Sequence, residues 1–309
     1  DVRAGDSFDL TIKPVIWTAA SDAAPPLQAA NICGNPSTPN YQQSGITLEV
    51  EELNGDHAGV LGVSSHDHPR DIAPPLDGAA VIDQSISEVG VFRLTAIPPS
   101  YLDSGASPAI SQSGRVGRFI PAYFKAEGSA SLKPSCGNAF SYQGQPMSFA
   151  SSLQPSLTVT AYSRLHNVTR NYDRPGFWKL AAPVVGSYAS VTAELLDPAA
   201  PNHASAVERD ARLASQGTPV LAVTGADDGD GARQYTWSGQ ELLYAQPLVP
   251  GLADYPFRAR IRQGFSTASL TDPEGVCHGD GNSCQPYGYV FADSPGSEVR
   301  LGRLRIGNA

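Results

Sequence analysis

Apolar and polar positions alternate with a period of two along many short stretches of this chain. Phe8, Leu10 and Ile12 are interleaved with Asp9, Thr11 and Lys13, and Ile46, Leu48 and Val50 with Thr47, Glu49 and Glu51. Successive side chains of an extended backbone point to opposite faces, so this alternation predicts half-buried strands. Glu88–Ala96 and Phe119–Ala126 read the same way. In the second half, so do Ser156–Tyr162, Ala189–Leu195, Pro219–Thr224, Glu241–Tyr244, Phe257–Ile261 and Val299–Ile306. Gly and Pro clusters separate nearly all of these runs, as turns between strands require. The best helical window is Ala204–Ser215, with Asn202 or Ser205 as its cap. Its apolar positions are mostly Ala, so a helix there buries little. Long helical crossovers are missing, which argues against a parallel α/β sheet. The pattern predicts an all-β chain of two antiparallel β-sandwich (Ig-like) units with little helix.

Composition sharpens this picture in three ways. The 309 residues include 30 Gly and 26 Pro, which fits a chain cut by many turns. The net charge of −9 is uneven: residues 1–118 carry −8 and residues 119–309 carry −1. This step coincides with the polar stretch Ser111-Gln112-Ser113-Gly114-Arg115-Val116-Gly117. A domain boundary is expected there, giving units 1–118 and 119–309. Finally, no basic face is visible, which argues against nucleic acid as a partner. Arg258, Arg260 and Arg262, like Arg300, Arg303 and Arg305, alternate with other residues, as on the solvent face of a strand. No apolar run approaches the roughly 18–20 residues that a membrane-spanning helix needs. The chain opens Asp1-Val2-Arg3 without Met or a signal peptide, so either a mature terminus or, in preference, a segment of a longer product is expected.

Four cysteines permit three pairings. Cys277 and Cys284 bracket His-Gly-Asp-Gly-Asn-Ser, a turn-forming segment, so a small disulfide loop is expected there. Cys33 and Cys136 would then form a long-range staple. Disulfides imply an oxidising compartment. A thiolate metal site needs close Cys/His pairs, and only Cys277-His278 is close.

The densest titratable cluster is His66-Asp67-His68-Pro69-Arg70-Asp71. Two His at i and i+2 share a face on a strand and could ligate a metal, but a polar loop ahead of Pro74-Pro75 is the expectation. Asp227-Asp228-Gly229-Asp230-Gly231 resembles the start of a calcium loop: clustered carboxylates suit a hard cation, and Gly permits the turn between them. Asp227, Asp228 and Asp230 are the candidate calcium ligands, although the distal Glu and flanking helices of an EF-hand are missing. A plain hairpin turn between Val220–Thr224 and Tyr235–Trp237 explains the same residues. Asp280-Gly281-Asn282 is a weaker version. No Gly-x-Ser-x-Gly elbow, Gly-x-x-x-x-Gly-Lys-Ser/Thr loop or His-Glu-x-x-His helix occurs. Tyr142, Tyr162, Tyr172, Phe177, Trp178, Tyr235, Trp237 and Tyr244 concentrate in the second unit, where most are expected to fill the core.

Several segments carry a family resemblance. Ser87-Glu88-Val89-Gly90-Val91-Phe92, Gly117-Arg118-Phe119-Ile120-Pro121-Ala122-Tyr123-Phe124, and Cys136 with Phe140-Ser141-Tyr142-Gln143-Gly144-Gln145-Pro146 resemble the core of MshQ-type proteins. Leu157–Tyr162, Asn171-Tyr172 and the closing Gly302–Ala309 extend the likeness in order. MshQ-type proteins are large bacterial proteins linked to mannose-sensitive haemagglutinin (type IV) pili, and their shared C-terminal region is a domain of unknown function. The resemblance implies export to the periplasm or cell surface and a role in surface attachment, with minor pilins, cell-surface ligands or glycans as partners. It supplies no catalytic residues. The functional expectation is therefore a non-enzymatic scaffold or adhesin module. The alternative is an extracellular carbohydrate-active enzyme or glycan-binding domain, which would need paired carboxylates and an aromatic platform.

Overall fold

The computed structural model describes residues 1–16, 18, 27–28, 32, 34–70, 78–100, 110–137, 139–191, 194–196, 206–246, 255–291 and 298–302. The fold is all-β, as the alternation predicts. The chain divides into two compact units. The first comprises Asp1–Tyr123, Ala161–Trp178 and Asp227–Gly231; the second comprises Phe124–Thr160, Lys179–Ala226 and Ala232–Ala309.

Strands β1 (Val2–Arg3), β2 (Ser7–Ile12), β3 (Leu27–Gln28), β4 (Gln43–Glu52), β5 (Ser65–His68), β6 (Ala80–Ser85), β7 (Gly90–Ile97), β8 (Ser111–Gln112) and β9 (Val116–Ile120) belong to the first unit. The main sheet runs β1-β9-β7-β4-β5, with β8 on β7 and β3 on β8, and β2 pairs with β6 separately. Ile86, Phe92, Leu94 and Phe119 form a buried cluster. Phe8 and Leu10 of β2, Val50 of β4 and Val2 of β1 pack against it, so both sheets share one core. The Phe119 ring lies 5.8 Å from Phe8 and 5.7 Å from Phe92, in the tilted geometry that aromatic quadrupoles favour.

The second unit contains β10 (Tyr123–Ser129), β11 (Ser141–Tyr142), β12 (Met147–Ser148), β13 (Ser156–Tyr162), β14 (Tyr188–Ser190), β15 (Glu194–Leu195), β16 (Leu213–Gln216), β17 (Val220–Thr224), β18 (Ala232–Ser238), β19 (Glu241–Tyr244), β20 (Phe257–Arg258), β21 (Ile261–Phe265), β22 (Tyr287–Val290) and β23 (Glu298–Arg300); the first residue of β10 and the last two of β13 fall in the first unit. They form four short sheets, β10-β13-β18-β17, β11-β23-β20-β15, β12-β19-β16 and β14-β21-β22. Tyr235, Trp237 and Tyr244 are buried, as expected for core aromatics, and so is Tyr172 in the first unit, whereas Tyr142 is exposed. Most ladders among the described residues are antiparallel, but β1–β9, β3–β8 and β11–β23 are parallel.

Several expected strands break where the sequence hides a kink. Phe119–Ala126 splits at Pro121-Ala122 into β9 and β10. Proline has no N–H to give to a ladder, so the run cannot continue as one strand. The window Ala204–Ser215 yields only a short α-helix, Ala206–Asp210, and then turns into β16. An Ala-rich face has too little apolar area to hold a longer helix.

Two expectations need correction. Residues 65–68 are a strand, not a polar loop. Asp67 Oδ1 accepts from Gly45 N at 2.7 Å, and this contact holds the chain against β4, where His66 and His68 alternate inward with exposed Ser65 and Asp67. The Cys33–Cys136 staple is not seen. Cys136 is a free thiol that lies 3.4 Å from Gln145 Oε1, inside a tight turn closed by the Cys136–Phe140 bridge. Cys33 itself lies outside the described residues. The expected Cys277–Cys284 disulfide is present, with Cα atoms 5.4 Å apart.

Candidate metal centre

A single turn of 3-10 helix, Arg170–Asp173, organises one end of the first unit. Four residues cannot satisfy their own leading N–H groups, and Thr169 before them makes no side-chain cap. A remote carboxylate does this instead. Glu88 Oε2 accepts from Arg170 N at 2.8 Å, and Oε1 accepts from Asn171 N at 3.1 Å and from its own neighbour Val89 N at 2.8 Å. Glu88 is 3% exposed. Burial pushes its carboxyl up to about 7, against the opposing pull of the three backbone donors and the Arg170 charge.

The next residue ties in a third segment. Asn171 Oδ1 accepts from Asp56 N (3.1 Å) and His57 N (3.0 Å), and Nδ2 donates to His57 O (2.7 Å) and Val89 O (3.0 Å). Gly55 approaches so closely that a Cβ there would sit 2.7 Å from the Asn171 amide. This glycine is required by contact rather than by backbone conformation.

Asp173 ends the turn fully buried, and there it meets the Asp/Gly loop. Asp228 N donates to Asp173 Oδ2 at 3.2 Å, and Asp230 N donates to Asp228 Oδ1 at 3.1 Å. Gly229 and Gly231 hold φ of 76° and 80°, the left-handed conformation that lets the loop reverse between its acids. Ala161 N donates to Gly231 O, which anchors the loop's exit. One carboxylate oxygen from each of Asp173, Asp228 and Asp230 lies within 4.8 Å of the others. Calcium binds oxygens at roughly 2.3–2.6 Å, so oxygens this far apart can share one shell. Nearby, Arg174 pairs with Asp56 and lies against Gly229, placing a cation beside the acids.

The sequence named Asp227, Asp228 and Asp230. The structure brings Asp228 and Asp230 together with Asp173. Asp227 is outside that trio and holds a positive φ of 65° at the loop's start. Asp173, Glu88 and Asn171 were missed, because nothing in spacing links residues 88, 173 and 228. The hairpin expected around the loop also exists: β17 pairs with β18 from Val220–Ser238 to Thr224–Gln234. At the second acidic turn, Asp280 Oδ1 accepts from Asn282 N and Ser283 N, an Asx-type turn inside the disulfide loop. His66 and His68 on β5 are both held below the ordinary imidazole value, first by burial. His66 is lowered further by His68 and raised by Asp67; His68 is raised by its bond to Gly78.

No helix among the described residues is long and apolar enough to cross a membrane. Comparison with protein families matches residues 2–73 to the second domain of DUF6701 and residues 88–289 to its third domain. No curated protein and no solved structure matches the chain.

Proposed function

We propose a structural, non-catalytic role for this chain, which belongs to the DUF6701 family, an uncharacterised family. In this reading it is a β scaffold of an exported surface protein, engaged in attachment alongside pilus proteins or other surface ligands. The pilus association comes from the MshQ-type resemblance. The Cys277–Cys284 disulfide supports an oxidising compartment.

The observation that carries the reading is how the first unit's loops are closed. Segments around residues 56, 88, 171 and 228 are locked to one another by Glu88, Asn171 and Asp173, all at or below 3% exposure. Polar side chains of this kind are spent on backbone groups, which makes a region rigid. Calcium on Asp173, Asp228 and Asp230 would close the same end further.

A scaffold also needs a surface to offer. Among the described residues of the second unit, β17 is an edge strand whose five residues, Val220-Leu221-Ala222-Val223-Thr224, are all exposed. Native edges are usually blunted by charge or proline, and this one carries neither. Main-chain pairing with a strand of a partner is the recognition mode that fits it. The test is binding of purified protein to minor pilins, to intact cells and to a glycan panel. Binding that falls about tenfold or more in Val223→Lys, with an unchanged melting temperature, supports the reading. Turnover of a glycan or ester substrate that vanishes on changing one acid, His or Ser would overturn it.

A further inference from the structure

The inward face of β4 and β5 holds an arrangement that the β-scaffold role leaves unused. His66 and His68 sit at i and i+2 on β5, so both side chains point to the same face. Their rings lie 5.8 Å apart, edge to face. Across the ladder, Gln43 stands opposite His68 and Ile46 opposite His66. Two residues of β4, Ser44 and Gly45, therefore face the single Asp67 in a bulge. Gly45 supplies the φ of 71° that the bulge needs, and Asp67 pins its N–H. The extra residue brings Gln43 and Ile46 onto the same face as both imidazoles.

The hydrogen bonds leave lone pairs over. His68 is 2% exposed, and its Nε2 lies 2.9 Å from Gly78 O. A carbonyl only accepts, so Nε2 carries the proton and Nδ1 carries the lone pair. Among the described residues that Nδ1 has no hydrogen-bond partner, and neither do the buried Nε2 of His66 and Oε1 of Gln43. Three acceptor-capable atoms on one face, all without donors, is costly unless something fills the role of donor. A ligating His whose other ring nitrogen is fixed by a backbone carbonyl is how proteins orient imidazole toward a metal.

We propose that His66 and His68, with the Gln43 side-chain carbonyl, form a binding site for a divalent transition-metal ion. Two imidazoles and one amide oxygen suit zinc, nickel or copper and give no advantage to calcium or magnesium. The site is separate from Asp173, Asp228 and Asp230, whose all-carboxylate set has the opposite preference.

The experiment is titration of the full chain with zinc chloride, any free thiol alkylated, followed by calorimetry and by histidine ring nitrogen NMR. One zinc per chain is expected, with the His66 and His68 ring signals moving together. His66→Ala should weaken binding by about tenfold or more, and Gln43→Leu by a smaller factor. Both positions are chosen because His68 is the most buried of the three and its loss would disturb packing. Asp228→Asn should leave zinc binding unchanged, and magnesium should not compete. The proposal fails if millimolar zinc moves neither ring signal. It also fails if His66→Ala and Gln43→Leu, both folded by circular dichroism, bind zinc like the parent, or if Asp228→Asn abolishes binding.

Discussion

Asn171 is the side chain on which the first unit's polar network most depends, and its removal makes a quantitative prediction. It is completely buried and makes four hydrogen bonds to backbone groups of Asp56, His57 and Val89. Asn171→Ala deletes all four and leaves two N–H and two C=O groups without their partner. At about 1 kcal/mol net per bond, the loss is about 4 kcal/mol, more where a group stays dry. The first unit, of about 150 residues, should then melt roughly 10 °C lower. Asn171→Asp separates hydrogen bonding from packing. It keeps Oδ1 but turns the donor into an oxygen facing His57 O and Val89 O, beside the buried Glu88. It should therefore destabilise as much as Ala at pH 7 despite its identical shape. Urea unfolding gives the free energies, and amide exchange at Asp56 and His57 reads the site locally. A loss below about 1 kcal/mol in both variants, with exchange at Asp56 unchanged, would refute the reasoning.

Two further predictions follow from the same region. The Glu88 carboxyl is raised from 4.5 to about 7, so between those values the folded protein holds a proton that the unfolded chain has released. Stability from this group is therefore full below about pH 4.5, falls as pH rises towards 7, and is level above it, by up to about 3 kcal/mol in all. Glu88→Gln should flatten that slope in denaturant melts taken at half-unit pH steps; an unchanged slope would exonerate Glu88. Calcium should raise the melting temperature by mass action on the folded state, and the rise should disappear with chelator or in Asp228→Ala and Asp173→Asn. A shift that survives both substitutions would place the ion elsewhere, and no shift would leave Asp228–Asp230 an ordinary turn.

The alternation was legible because it is a local property. Ser156–Tyr162 and Glu241–Tyr244 come out as strands with the residues that the period assigns. What failed were features decided by distant partners. The polar string Ser65–His68 has loop composition, and it is a strand only because β4 and the Asp67–Gly45 contact make it one. The alternating run Phe257–Ile261 breaks after Arg258 because its two halves pair with different sheets. Segments 161–178 and 227–231 belong to the first unit, although their composition resembles that of their neighbours. The Asp/Gly loop announced itself through Gly between acids, a signal of turn chemistry. Its buried third acid, Asp173, sits in Asn-Tyr-Asp-Arg, where nothing marks it.

The reason lies in the 3-10 turn itself. Four residues are too few to nucleate a helix on their own. Arg170–Asp173 therefore holds its shape through what grips its two ends. Glu88 grips the leading end through backbone N–H groups, and the Asp228 N–H meets Asp173 at the trailing end. Protonation of Glu88 would remove charge at the first end without touching the second, and a cation on Asp173 would do the reverse. Both carboxylates are buried, so neither change is absorbed by solvent. The turn thus places an acid-sensitive contact and a cation-sensitive contact three residues apart, and Asn171 between them passes any distortion to residues 56 and 57. Segments around residues 56, 88, 171 and 228 are thus coupled through buried polar contacts, so a change at either end of the turn is felt by all of them.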